Sequence, residues 1–121
     1  MAPGSACANL GGWHLVSLDS YNFIEGGAKA DAQRDWLVRD LATKPGVPTI
    51  VYWHHPTFSN AKHLGQPKTK PFWDAIYAHG PALVFNGHNH VYERFAPQDP
   101  DGHFDPARGV RLIVAGVNVR R

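Results

Sequence analysis

Two histidines with a single residue between them sit in the string Phe85-Asn86-Gly87-His88-Asn89-His90. Side chains alternate along extended backbone, so His88 and His90 are expected to point the same way. Two neutral imidazoles on one face form a metal-ligand pattern. A third, His54, ends the apolar run Thr49-Ile50-Val51-Tyr52-Trp53. Imidazole nitrogen suits Zn, Mn, Fe, Co or Ni without choosing among them. Three histidines can hold one zinc ion with water in an open fourth position, lowering the pKa of that water to about 7. They can equally be half of a two-metal site, whose other half needs carboxylates, one of them bridging.

The neighbours of these residues suggest further roles. His55 follows His54 directly and in extended backbone is expected to face away, either supporting the ligands from behind or serving the fold, and held by Pro56. His63 lies in a polar loop beside Lys62, from where it can act as a general acid or stabilise a developing negative charge. No carboxylate occurs between Asp40 and Asp74, whereas Lys44, Lys62, Lys68 and Lys70 do. A positive loop beside metal ions favours an anionic substrate such as a phosphate ester. Glu93 is placed to accept a hydrogen bond from a ligand imidazole or to pair with Arg94. His14, His79 and His103 receive no role.

Something must carry these side chains to one place. Residues 13–18 and 49–53 read as strands, 82–85 as a third leading into the histidine turn, and 110–115 as a last. Continuous apolar β-branched and aromatic composition over 49–53 marks a strand buried within a sheet. A helical pattern runs over 28–43, with Ala32, Trp36, Leu37 and Leu41 on one side and Arg34, Asp35 and Arg39 on the other, and Pro45-Gly46 stops it. A shorter helix over 72–79 is opened by Pro71. Residues 22–27 and 56–70 read as loops. Strand-helix-strand-helix-strand spacing means parallel strands with right-handed crossovers, an α/β architecture. Asp19, His54 and His88 then each stand just past the carboxyl end of a strand, the rim where ligand sites lie in such sheets.

Composition narrows the classes. A chain of 121 residues, 43% hydrophobic and 18% charged, is one small folded domain. Net charge +2, with no basic run interleaved with aromatics, argues against a nucleic-acid partner. No apolar stretch is long enough to span a membrane. Residues 1–7 lack the basic start and apolar core of a signal peptide, and the single cysteine, Cys7, cannot form an internal disulfide.

The strings Tyr52-Trp53-His54-His55-Pro56 and Gly87-His88-Asn89-His90-Val91-Tyr92-Glu93-Arg94-Phe95-Ala96-Pro97 resemble the last two ordered blocks of the calcineurin-like metallophosphoesterases. The flanks are most similar to the bacterial branch related to purple acid phosphatases. Gln33-x-x-Trp36-Leu37 and Pro97-Gln98-Asp99-Pro100-Asp101-Gly102 fit the same branch, so the resemblance covers roughly residues 12 to 116. It implies hydrolysis of phosphate esters by a metal-bound hydroxide attacking in line, at a site holding two divalent or trivalent ions (zinc, manganese or iron). It further implies that His54 and His88 ligate the second metal and His90 the first. His63 would take the position of the histidine that meets the substrate phosphate or leaving group.

The earlier blocks of that family are absent: the chain contains no Gly-Asp and no Gly-Asn-His. Those blocks supply the bridging carboxylate and the remaining ligands, so residues 1–121 look like the C-terminal portion of a catalytic domain. The implied fold is about one sheet, with flanking helices, of a four-layer α/β/β/α sandwich. One sheet face is then left apolar and uncovered. The expected function is a metal-dependent phosphatase with little or no activity until a missing N-terminal half completes the site. Its substrate is expected to be a phosphorylated small molecule or other ester, with neither nucleic acid nor membrane as partner. Family relatives are often secreted, but this sequence fixes no compartment. The rival from another class is a non-catalytic module that binds a single metal, or a partner, through His54, His88 and His90.

Overall fold

The computed structural model describes residues 4–117. Six strands form one mixed sheet: β1 Ala6–Leu10, β2 Trp13–Ser17, β3 Thr49–Trp53, β4 Ala82–Asn86, β5 Tyr92–Arg94 and β6 Arg111–Ala115. Their spatial order is β1-β2-β3-β4-β6-β5. The four central strands run parallel, as their spacing predicts. Both edge strands are antiparallel additions that an all-parallel expectation omits. The first edge comes from Gly11-Gly12, which join β1 to β2 as a two-residue turn with φ of +55° and +88°. Only glycine adopts such a pair of left-handed angles without strain, and that turn matches the twist of an antiparallel ribbon.

Three helices connect the strands: α1 Ser20–Glu25, α2 Gly27–Ala42 and α3 Lys70–His79. Residues 20–25, expected in part as a loop, wind into α1 because Asp19 caps it, accepting from the Asn22 backbone N–H at 3.1 Å. Asp19, a rim candidate by position, is thereby a capping residue. In α2 the buried positions are Ala30, Gln33, Leu37 and Leu41, while Ala32 is exposed. The stripe is rotated from the apolar count because Gln33 clamps the chain before α1. Its Oε1 accepts from Asp19 N at 2.7 Å and from Ser5 Oγ at 3.1 Å, and its Nε2 donates to the Asp19 carbonyl at 2.9 Å. A buried polar side chain with its groups satisfied costs little to keep inside.

Successive right-handed crossovers from β2 to β3 to β4 step in one direction across the sheet, which places their helices on the same side. On that face Val16, Val51, Val84, Leu112 and Val114 are fully buried against Leu37, Phe72, Trp73 and Ile76. Phe72 is the centre of this layer, with its ring 4.1 Å from that of Phe23 and 5.2 Å from that of Trp53. Each such buried side chain contributes roughly 1.5–3 kcal/mol. His14 belongs here too: at 1% exposure it lies 2.6 Å from the Asp40 carboxylate and 3.1 Å from the Asn9 side chain, a structural role.

The alternate residues form the other face. Leu15, Ile50 and Leu83 align in one row, and Ser17, Tyr52, Phe85 and Ile113 in the next. All of them keep solvent exposure, reaching 46% at Tyr52. The uncovered apolar face expected of half a sandwich is present.

Candidate metal centre

Two chain reversals at the carboxyl ends of β3 and β4 build the centre. Strand β3 ends at Trp53 and the backbone bends through His54 and His55. The bend is held by the Trp53 indole, whose Nε1 donates to the His55 carbonyl at 2.7 Å. Strand β4 ends at Asn86, whose Nδ2 donates to the Trp53 carbonyl at 3.1 Å, and Gly87 N–H donates to the His54 carbonyl at 2.9 Å. The two reversals are thus tied together strand end to strand end.

Beyond Gly87 the chain is not extended. His88 has φ of +65°, in the left-handed region that a residue with a Cβ rarely adopts, and Asn89 N–H donates to the Gly87 carbonyl at 2.7 Å. The alternation that would point His88 and His90 the same way therefore does not apply. Instead His88 is turned toward His54, with His88 Nδ1 3.1 Å from His54 Nε2 and ring centroids 5.0 Å apart. The bend at 54–55 likewise removes the reason for His55 to face away. Its ring lies 4.8 Å from His54 and 4.7 Å from His88. One nitrogen from each of His54, His55 and His88 falls within a sphere of mutual distances under 4.8 Å. His90 is exposed and lies outside that trio, yet near enough for its charge to act on His88. His63 is exposed, with its ring 5.1 Å from that of His88.

The electrostatics suit a cation. Burial, then the neighbouring His54 and His88, push His55 below the ordinary imidazole range. Burial, then His54, His63 and His90, do the same for His88. Rings held neutral are rings ready to ligate. Two imidazole nitrogens on one tetrahedral zinc at about 2.1 Å would be roughly 3.4 Å apart, close to the His54–His88 spacing. The carboxamide oxygens of Asn86 and Asn89, on either side of His88 in the chain, are buried without a hydrogen-bond partner. Neutral imidazoles with nitrogens at this spacing fit one metal ion. They do not fit two, because the group that converges among the described residues contains no carboxylate.

Sequence reasoning missed His55, Ser20 and Tyr21. Ser20 Oγ lies 2.8 Å from His55 Nδ1 and accepts from the His55 backbone N–H at 3.1 Å, which leaves Nε2 to face the cluster. Tyr21 stacks on His54 at 5.2 Å and meets His55 edge-on at 4.6 Å. The signal was the Asp19 cap, which starts α1 beside the rim. The lysine run is less of a patch than the sequence suggests, since Lys70 is engaged by Asp74 at 3.2 Å and Asp101 at 3.6 Å. A shallow groove of about 570 Å³ lined by Ser17, Tyr52, His54, Phe85, Gly87 and Ala115 runs from the uncovered sheet face to the histidines.

Residues 3–92 match the model of the calcineurin-like phosphoesterase family. The chain is 34% identical over 112 residues to purple acid phosphatase 15 of Arabidopsis thaliana, covering 88% of this chain and 20% of that protein. It is 32% identical over 99 residues to probable purple acid phosphatase 20 of the same plant, covering 73% and 22%. Among solved structures it is similar to GAP50, the anchor in the inner membrane complex of Plasmodium, with TM-score 0.67, 13% identity, and 93% of this chain and 36% of that one covered. The purple acid phosphatase PPD1 from yellow lupin seeds gives 0.65, 15%, 93% and 22%. The chain spans about a fifth of the length of the curated relatives it matches.

Proposed function

This chain belongs to the calcineurin-like phosphoesterase family, and from that premise we propose that it is the histidine-bearing portion of a metal-dependent phosphatase. The observation that carries the reading is the approach of His54 Nε2 to His88 Nδ1 at 3.1 Å on the carboxyl rim of a parallel sheet. His54, His88 and His90 serve as metal ligands, and His55 is a further nitrogen donor supported by its place in the cluster. A bound ion supplies an activated water and a positive charge for the phosphoryl oxygens. His63, beside His88, donates a hydrogen bond or proton to the phosphate or its leaving oxygen. The substrate is a small phosphate ester.

Among the described residues no carboxylate joins the histidine group to bridge two metals, so the chain by itself binds one ion and turns over little. The missing half would sit over the uncovered face and deliver carboxylates along the groove that ends at His54 and Gly87. Assaying an aryl phosphate with excess zinc or manganese tests this reading. The expected result is turnover far below that of an ordinary enzyme, and a kcat on the order of 10 s⁻¹ would refute it. The second reading, a non-catalytic single-metal module, is favoured by the absence of carboxylates from the histidine group. Hydrolysis that appears on mixing with a separately expressed N-terminal half of a relative would exclude it.

A further inference from the structure

Among the described residues, Glu93 finds its hydrogen-bond partners away from the histidine turn that its position in the sequence suggests. It reaches across to the loop that carries His63. Its Oε1 accepts from Ser59 Oγ at 2.5 Å and its Oε2 accepts from the Asn60 backbone N–H at 3.0 Å. The Ser59 hydroxyl has one proton, and it goes to Glu93. Its lone pairs accept from Ala61 N–H at 3.1 Å and from Asn89 Nδ2 at 2.7 Å. Asn89 stands between His88 and His90, is 1% exposed, and can present only its NH₂ to a hydroxyl that has already given its proton away. A single connected network therefore runs from β5 through the His63 loop to the residue at the centre of the histidine turn.

The rest of the loop has few other holds near His63. It is closed at its base by Gln66 N–H to the Pro56 carbonyl at 2.7 Å and by the contact of the Thr57 and Thr69 hydroxyls at 2.6 Å. Within residues 61–64, Leu64 N–H donates to the Ala61 carbonyl at 2.8 Å, and Leu64 itself is left-handed at φ +46°. Between base and tip, Ser59 joins the loop to Glu93 of β5 and to Asn89 of the turn, and Asn89 Nδ2 also donates to the Leu64 carbonyl at 3.5 Å.

We propose that Glu93 and Ser59 are positioning residues, a clasp that sets His63 beside His88 and fixes the orientation of Asn89 between the two histidines of the turn. The proposal rests on the reading of His63 as the group that meets the substrate phosphate. A carboxylate is required because both of its oxygens accept. The Glu93→Gln amide would present NH₂ to one of two donors, leaving an N–H or O–H unmatched in a half-buried place. Arg94 and Tyr92, whose side chains are exposed on the same strand, contribute nothing to the clasp.

The test uses the whole 121-residue chain without metal, so that it does not depend on turnover. Amide exchange at Asn60 and Ala61 is expected to accelerate about tenfold in Glu93→Gln and Ser59→Ala, the loss of roughly one hydrogen bond. Exchange at Val51 and Val84 should hold, and the nuclear Overhauser contact between the His63 and His88 rings should weaken. Ser59→Thr keeps the hydroxyl and should restore both readouts, whereas Ser59→Val, of the same volume, should not. If Glu93→Gln unfolds the chain, the Thr and Val pair decides alone. Unchanged Asn60 protection and an unchanged His63–His88 contact in Ser59→Val would overturn the clasp. Adding zinc and then inorganic phosphate to the wild-type chain separates the two claims. A His63 ring that does not respond to phosphate while the clasp readouts hold would overturn the phosphatase reading and leave the clasp standing as loop architecture.

Discussion

The two faces of the sheet are made from the same strands and have opposite fates. Leu112 and Ile113 are neighbours in β6, yet Leu112 is fully buried under the helices and Ile113 remains partly exposed on the other side. Val51 and Tyr52 repeat the contrast in β3, at 0% and 46% exposure. Topology causes the difference: crossovers that all step the same way stack their helices on one face and leave the other to be covered by something else. The histidines stand at the end of these strands, where the covered face and the exposed face meet.

Paired substitutions across that boundary would break the contrast most forcefully. Leu112→Ala should cost about 2–5 kcal/mol in chemical denaturation, as for a buried leucine that leaves a cavity. Ile113→Ala should cost less than half as much, and equal costs would mean that the second face is packed after all. Next in size is Gly116→Ala, just past β6. A Cβ there would lie 2.0 Å from the Asn89 carbonyl oxygen, so the histidine turn must shift. The expected loss is about 2 kcal/mol, with zinc affinity falling alongside, whereas Gly46→Ala, in open space, should leave zinc affinity unchanged. Smaller still is Tyr52→Ser on the uncovered face. Melting temperature should move by no more than a few degrees while soluble yield rises, and a large drop in melting temperature would contradict the exposure of that face.

The smallest effect concerns the covered side, far from the metal rim. The Tyr77 hydroxyl and the Arg108 backbone N–H donate to Asp105 and hold its carboxyl below the usual range, the tyrosine contact being the larger cause. A carboxyl with a depressed native pKa contributes stability that is present above its unfolded value near 3.8 and is lost as pH falls through the native value. Tyr77→Phe should therefore lower the melting temperature slightly near neutrality, where the contribution is present, and flatten its fall below about pH 4, where the contribution is lost.

The parallel centre, both long helices and the positions of His54 and His88 were legible in the sequence, because apolar periodicity and strand-end placement are local signals. The edge strands were not. Residues 6–10 are exposed throughout and hold their place through pairing with β2, which no apolar pattern announces. The orientation of the histidines was legible only in part. Reading them by alternation assumed extended backbone, whereas His88 is left-handed and His54-His55 lie in a bend. That local departure brings His55 into the cluster and places His90 outside the trio. Glu93 was expected to support a ligand imidazole or pair with Arg94, and its bond to Ser59 was not legible, since the contact joins positions 34 residues apart.

Zinc stoichiometry measured by calorimetry on the 121-residue chain addresses the central claim most directly. One ion per chain is expected, with affinity reduced at least tenfold by His54→Ala or by His88→Ala, in line with loss of a direct ligand. Two ions bound per chain, or binding indifferent to both substitutions, would contradict it.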